Sequence, residues 1–150
     1  MTMPELPLEG GCRCGKVRLR VTQPPLVTAV CHCTGCQRMT ASAFSTTITL
    51  PADAMEVTRG QPVIGGLHGD EARHHHCDWC KSWLFTRLPP EYGAVNVRAT
   101  MLDDATWFAP YMETFTDERL PWVETGAVER FATFPDASDY PRIMRDFAGR

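Results

Sequence analysis

Cys31-His32-Cys33-Thr34-Gly35-Cys36 places three cysteines close together in one short segment, and the predicted fold is built around it. The remaining cysteines form two close pairs, in Cys12-Arg13-Cys14 and Cys77-Asp78-Trp79-Cys80, so all seven lie in clusters. Such spacing lets a backbone turn present two thiolates to one tetrahedral ion, whereas scattered free cysteines act as small buried hydrophobes. The pattern therefore predicts a fold held together by bound zinc.

The cysteine ligands can be grouped in several ways, and we favour a division into four and three. The two outer pairs would complete one closed structural site, formed by Cys12, Cys14, Cys77 and Cys80. The central segment would supply three ligands and leave a fourth coordination position open, and those ligands are Cys31, Cys33 and Cys36. Because three protein ligands are typical of a catalytic zinc, we expect two zinc ions per chain with different roles.

Three alternatives to this division are histidine ligation by His32, histidine ligation by residues 74–76, and redox chemistry. His32 could complete the second site, but neighbours in an extended chain point to opposite sides, so it should face away from an ion held by Cys31 and Cys33. The histidine run 74–76 lies on a predicted strand, where we expect exposed or half-buried side chains rather than ligands. A redox role for the Cys-x-x-Cys pairs would require the strand-to-helix junction of a βαβ unit, which the sequence lacks.

Composition narrows the class of protein. The hydrophobic content of 43% and charged content of 22% are ordinary for a globular protein, and 150 residues suit a single domain, 1–150. A net charge of -3 without a run of Lys or Arg argues against nucleic acid as a partner. Without a signal peptide or a long apolar run, we expect a cytoplasmic protein that does not bind membranes. In that compartment cysteines stay reduced and available as ligands.

The secondary structure is predicted to be mainly β. Segments rich in β-branched and aromatic residues, most bounded by Gly or Pro, predict strands at 16–21, 26–31, 43–50, 55–59, 62–65, 72–77, 83–87, 94–99 and 111–115. Helices are predicted only at 33–40 and at 139–147, where Pro141 suits a first turn. The sequence does not decide between a monomer and a homo-oligomer.

Three motifs resemble those of the glutathione-dependent formaldehyde-activating enzyme family, which also includes centromere protein V. They are Gly10-Gly11-Cys12-Arg13-Cys14-Gly15-Lys16-Val17-Arg18, then Cys31-His32-Cys33-Thr34-Gly35-Cys36-Gln37-Arg38 continuing to Ser42-Ala43-Phe44, and finally Cys77-Asp78-Trp79-Cys80. The chain departs from the family pattern in the last motif, where His76 and Lys81 stand in place of Phe and Gly. It also has Tyr111, Met112 and Glu113 where some members carry a His.

The resemblance implies a fold and an activity. The implied fold is a β-tent similar to the Mss4-like superfamily, built of short antiparallel sheets and held together by one structural and one catalytic zinc. The implied activity is that of a carbon-sulfur lyase that combines glutathione, a small thiol, with the aldehyde formaldehyde to give S-hydroxymethylglutathione. Three thiolates leave a bound zinc at net -1, which favours thiol binding over water activation, although zinc-dependent hydrolysis stays open as an alternative.

Residues near the ligands are candidates for binding substrate. Those close in sequence to the second cluster, which is the three-cysteine group of residues 31–36, are Gln37, Arg38, Thr40 and Ser42. Glu113 and Arg119 lie in a later segment that the resemblance implies returns near the site. We expect the tryptophans to belong to the core, and these are Trp79, Trp83, Trp107 and Trp122. The competing class of function is a non-catalytic zinc module that binds a protein partner, in which both ions only stabilise the fold.

Overall fold

The computed structural model describes residues 2–67 and 72–150, and its strands form two sheets. The strands are β1 Leu8–Gly11, β2 Arg18–Val21, β3 Val27–Cys31, β4 Ser45–Pro51, β5 Met55–Arg59, β6 Val63–Ile64, β7 Arg73–His76, β8 Trp83–Arg87, β9 Ala94–Val97, β10 Met112–Thr114 and β11 Glu129–Arg130. The two α-helices are α1 Thr34–Thr40 and α2 Tyr140–Ala148. The prediction of a mainly β fold is confirmed, and both helices lie where the sequence predicts them.

The two sheets differ in size and direction. The smaller sheet has the order β1-β2-β5, and the larger one has the order β11-β10-β3-β4-β9-β8-β7-β6. Most pairs are antiparallel as expected, but β10 runs parallel to both β3 and β11, so the larger sheet is mixed. Residues 115–128 join β10 to β11, and β4 to β9 lie between β3 and β10 in the chain. Such long connections are needed because parallel neighbours cannot be joined by a tight hairpin.

Two apolar clusters cover the two faces of the larger sheet. The first lies between the sheets and includes Leu19, Ile48 and Leu84, all fully buried. The second lies beneath α2, whose Ile143 is fully buried against Val27 and Met112. The larger sheet is thus shared by both clusters, and its β3 end leads directly into the central cysteine segment.

One strand of the smaller sheet was missed by the sequence reasoning. Strand β1 reads Leu-Glu-Gly-Gly, and glycine is depleted in strands, which hid it. Its Gly10 forms a bridge with Leu102, and a Cβ added at Gly10 would lie 2.4 Å from the carbonyl oxygen of Met101. Glycine is therefore required there by the close approach of the two backbones.

Two of the four tryptophans contradict the prediction that they belong to the core. Trp83 and Trp107 are buried, but Trp79 and Trp122 are 74% and 75% exposed. Trp79 lies in the turn between two cysteines whose thiols face inward, so the turn projects the indole outward. The Lys16 ammonium lies 5.2 Å from the centre of its ring and partly covers it.

Candidate metal centre

The four-cysteine cluster joins the turn after β1 to the turn after β7. All four sulfurs lie within 4.8 Å of one another. The Cys12 and Cys14 sulfurs are 3.5 Å apart, and those of Cys14 and Cys77 are 3.8 Å apart. Zinc bonds of about 2.3 Å to a tetrahedron of sulfurs place those sulfurs roughly 3.8 Å apart. The donor set and its spacing therefore fit a closed zinc site.

The loop around this cluster is fixed by hydrogen bonds to the sulfurs and by an unusual turn. The Val17 amide donates to the Cys12 sulfur at 3.3 Å, and the Cys80 sulfur lies 3.3 Å from the Ser82 hydroxyl. Lys81 has a φ of 61°, in the left-handed region that favours glycine, while its amide donates to the Cys77 carbonyl at 3.0 Å. The lysine found where the family commonly has glycine thus occupies a strained backbone position.

The three-cysteine cluster is formed where β3 ends and α1 begins. Cys31 is the last residue of β3, and Cys33 is the N-cap of α1, whose sulfur accepts a hydrogen bond from the Cys36 amide at 3.3 Å. The three sulfurs lie within 4.8 Å of one another. Among residues 2–67 and 72–150, no fourth cysteine, histidine or carboxylate atom joins this group.

The thiols of this cluster differ in pKa. Hydrogen bonding from Cys36 is the main reason that the pKa of Cys31 falls to about 5, and the same interaction raises the pKa of Cys36. Sulfurs this close repel one another once they are ionised, and only a cation at their centre allows all three to be thiolates together. The donor set therefore fits a soft divalent metal such as zinc.

Hydroxyl groups from the neighbouring strands flank the first ligand. Cys31 pairs with Ser45 on β4 and with Thr114 on β10, and paired residues point to the same face of a sheet. Both side chains are buried, and the Ser45 hydroxyl has no hydrogen-bond partner within the described chain. Sequence reasoning missed these hydroxyls because strand register, which brings them to Cys31, cannot be read from spacing.

His32 turns away from the cysteine sulfurs, as alternation along an extended chain predicts. It is fully buried, and its Nε2 lies 2.9 Å from the Glu113 carboxylate. Its amide donates to the Thr114 carbonyl at 3.0 Å. Glu113 is therefore close to residues 31–36, the loop of predicted metal ligands (the ligand loop), but it contacts His32 rather than the cysteine sulfurs.

The other predicted substrate-binding residues take different positions. Gln37 donates from Nε2 to the carbonyls of His32 at 2.7 Å and Glu118 at 3.0 Å, so its amide holds the ligand loop. Arg38 and Ser42 are exposed on α1 and directly after it. Arg119 donates to the Val123 carbonyl at 2.8 Å.

A buried arginine near the cluster was also missed. Arg98 follows β9, is only 6% exposed, and lies with its guanidinium carbon 4.2 Å from the centre of the Trp83 ring. Burial lowers its pKa to about 10, while the nearby Cys36 and Cys31 thiolates oppose that decrease. A charged residue between Val97 and Ala99, in an otherwise apolar segment, was the signal that could have identified it.

Known proteins similar to this chain identify a family. The profile of the family described as glutathione-dependent formaldehyde-activating enzyme matches residues 7–118, which include every cysteine. A Halomonas elongata protein named "Putative glutathione-dependent formaldehyde-activating enzyme" is 36% identical over 146 residues, covering 87% of this chain and 90% of its own length.

The fold also has a counterpart among solved structures. The crystal structure of a Rhodobacter sphaeroides protein matches with a TM-score of 0.53 at 20% identity, over 64% of this chain and 88% of the other. At that identity the match supports the fold alone. Together with the family profile and the relative, the resemblance found in the cysteine motifs is confirmed, and the chain belongs to the glutathione-dependent formaldehyde-activating enzyme family.

Proposed function

We propose that this chain is a zinc-dependent enzyme of the carbon-sulfur lyase class that adds glutathione, or a similar small thiol, to formaldehyde or another aldehyde. Membership of the family supports glutathione-dependent activation of formaldehyde in general terms. The observation that carries the proposal is the group of three sulfurs that no fourth ligand atom joins in the described part of the chain. Three protein ligands would leave the fourth position of a tetrahedral ion for a thiol from outside the protein.

The reaction is an addition that needs no oxidant or reductant. The sulfur of the thiol forms a bond to the aldehyde carbon, the carbon-oxygen π bond breaks, and the proton lost by the thiol ends on the oxygen. A free thiol has a pKa of about 8.5, so only a few per cent is the reactive thiolate at neutral pH. A zinc ion bound by Cys31, Cys33 and Cys36 would supply the positive charge that stabilises the thiolate form.

The residues around the cluster have separate proposed roles. Cys12, Cys14, Cys77 and Cys80 would hold a second, structural zinc, making two ions per chain. The buried hydroxyls of Ser45 and Thr114 flank Cys31 and can donate hydrogen bonds to sulfur. Gln37 and Glu113 hold the ligand loop in place. We retain Arg38, Ser42 and Arg119 as proposed contacts for the charged ends of the thiol substrate.

The proposal extends to the domain organisation of the chain and to its cellular compartment. Residues 1–150 would form one zinc domain, a reading supported by the larger sheet that both apolar clusters share. Among the described residues, none of the helices has the length and apolar character needed to cross a bilayer. We propose action on small molecules in the cytoplasm, where thiols remain reduced.

Cobalt substitution tests this function directly. Cobalt(II) bound by thiolates gives a charge-transfer band whose intensity rises with each added sulfur ligand. We expect two cobalt ions per chain and a band that grows as glutathione is titrated. The zinc protein should then form S-hydroxymethylglutathione from glutathione and formaldehyde faster than the uncatalysed reaction, as followed by NMR.

The outcomes separate the proposal from its alternatives. Two bound ions with no response to glutathione, and no acceleration with any small thiol, would contradict the enzyme and favour the non-catalytic module. Cys36→Ser provides the control, since it removes a ligand of the second cluster only. If the band grows as much in Cys36→Ser as in the wild type, glutathione binds at a site other than the three-cysteine cluster.

A further inference from the structure

The buried Arg98 has no carboxylate to balance its charge. Its Nε has no hydrogen-bond partner within the described chain, and the one hydrogen bond found for its guanidinium is a long one of 3.5 Å from Nη2 to the Asn96 carbonyl. Among the described residues, no ion pair includes it. A charge removed from water destabilises the fold unless another charge offsets it. Its counter-charge must therefore come from a different kind of group.

Strand register places Arg98 on the same face of the larger sheet as the second cluster. Cys31 pairs with Ser45, and alternation along β4 puts Ser45 and Thr49 on one face. Thr49 pairs with Asn96, and Arg98 lies two residues beyond Asn96 with its amide still bonded to the Leu84 carbonyl at 3.0 Å. Cys31 and Arg98 therefore point to the same side.

The charges on that side complement each other. The buried guanidinium lies on the side of the sheet to which Cys31 points, where it can interact with negative charge on the Cys31 and Cys36 sulfurs. A divalent metal with three thiolates carries a net charge of -1, and a fourth thiolate makes it -2. A fixed positive charge nearby stabilises both states, and it stabilises the second more strongly.

We infer that Arg98 is the counter-ion of the three-cysteine cluster, a positioning residue that strengthens the binding of metal and of a fourth thiolate there. The inference rests on the proposed metal site. It assigns Arg98 to the cluster itself rather than to the carboxylates of a substrate. Trp83, whose ring covers the guanidinium at 4.2 Å, keeps the charge in place and shielded from water.

Cobalt(II) titration of the metal-free protein tests the inference without measuring activity. In Arg98→Met, which keeps an apolar side chain against Trp83, the cobalt affinity of the second cluster should fall about 10- to 100-fold, the usual effect of removing a group that supports a metal ligand. The affinity of the four-cysteine cluster should stay unchanged, which also reports that the variant folds. Arg98→Lys should recover most of the lost affinity, because it restores the charge.

The matched control is Arg87→Met. Arg87 lies on β8 of the same sheet, with its guanidinium 5.4 Å from the Phe85 ring, and donates to the Ala52 carbonyl. Its replacement should leave both cobalt affinities unchanged. If Arg98→Met does not fold, Arg98→Gln provides the neutral variant, and Arg98→Lys still tests whether charge alone suffices.

Two thiols distinguish the counter-ion from a substrate-binding residue. 2-Mercaptoethanol has no carboxylate, so a counter-ion of the cluster should affect its binding as much as that of glutathione. Loss of glutathione binding alone in Arg98→Met, with metal and 2-mercaptoethanol unaffected, would overturn the inference and make Arg98 a carboxylate receptor. Unchanged cobalt affinity in Arg98→Met would also overturn it. A wild-type protein that binds two cobalt ions but no thiol would contradict the proposed function and the thiolate part of the inference, but not the effect of Arg98 on metal affinity. A wild-type protein that binds a single ion would contradict both proposals.

Discussion

The Nε2 atom of His32 lies 2.9 Å from the Oε2 atom of Glu113, and both side chains are buried. The same carboxylate accepts a hydrogen bond from the Thr125 hydroxyl at 2.6 Å, and its Oε1 lies 2.9 Å from Nε of Arg130. This contact joins the residue between Cys31 and Cys33 to strand β10. The position of the ligand loop therefore depends on a buried polar contact between two distant parts of the chain.

Removing the charge of Glu113 should loosen the ligand loop. In Glu113→Gln a buried hydrogen-bond acceptor is replaced by an NH₂ group facing other donors, and the free energy of unfolding should fall by about 1–3 kcal/mol. The cobalt affinity of the three-cysteine cluster should fall with it, by roughly 10-fold or more. Urea unfolding and cobalt titration measure the two effects. Glu124→Gln, at a 74% exposed carboxylate paired with the same Arg130, should change neither value and serves as control.

Replacement of single cysteines should separate the two clusters. Cys36→Ser should keep the fold while losing the second ion and the activity. Cys80→Ser should unfold the protein, because structural zinc contributes on the order of 10 kcal/mol, as much as the net stability of a domain. Circular dichroism and metal content per chain measure both variants. Equal loss of structure in the two variants would contradict the division of roles.

Lys81→Gly should stabilise the four-cysteine loop. A non-glycine residue in the left-handed region costs about 1–2 kcal/mol, and glycine removes that cost while adding a smaller entropy to the unfolded chain. We expect a net gain of about 0.5 kcal/mol in the free energy of unfolding of the zinc protein. The variant also loses an exposed ion pair with Asp78 at 3.1 Å. Asp78→Ala controls for that loss and should have almost no effect.

The pairing of α2 with β11 should weaken in acid. Arg142 donates from both of its terminal nitrogens to Glu129, at 2.8 Å and 3.0 Å, and this contact is the main reason that the pKa of Glu129 lies below its usual value. A carboxyl with a lowered folded pKa contributes stability above its unfolded pKa of about 4.3, and the contribution is lost as pH falls through the folded pKa.

Glu129→Gln should therefore cost about 1 kcal/mol at pH 7. Its deficit relative to the wild type should shrink as pH falls below about 4. Urea unfolding of both proteins at each pH, with equal zinc content, measures the difference. Arg145→Met, at a 72% exposed arginine on the same helix, should have no comparable effect. A deficit that does not depend on pH would contradict the ionic character of the contact.

Local features of the fold were accessible from the sequence, and contacts between distant strands were not. The sulfur groups in the structure follow the spacing of the cysteines, and α2 begins beside Pro141 as predicted. The parallel pairing of β10 with β3 could not be predicted, because neither strand carries a local signal for its neighbour.

Side-chain surroundings were harder to predict for the same reason. The partner of His32 lies 81 residues away in the chain, and the face occupied by Arg98 depends on the register of three strands. Hydrophobic character predicted a buried Trp79, but it lies in a turn whose two cysteines contribute to the four-cysteine cluster, and its side chain is 74% exposed. Where such side chains lie depends on which neighbouring groups occupy the interior, and amino-acid composition does not give this information.

The different sequence separations in the two clusters have a consequence for how the chain acquires metal during synthesis. The three-cysteine cluster is complete as soon as residue 36 leaves the ribosome. The four-cysteine cluster also needs Cys77, which is synthesised 63 residues after Cys14. The three-cysteine cluster could therefore bind an ion before the chain has folded, and an ion that binds the unfolded chain stabilises the native state less. The four-cysteine cluster must close a long loop first, so we expect it to bind an ion late and to stabilise the finished fold.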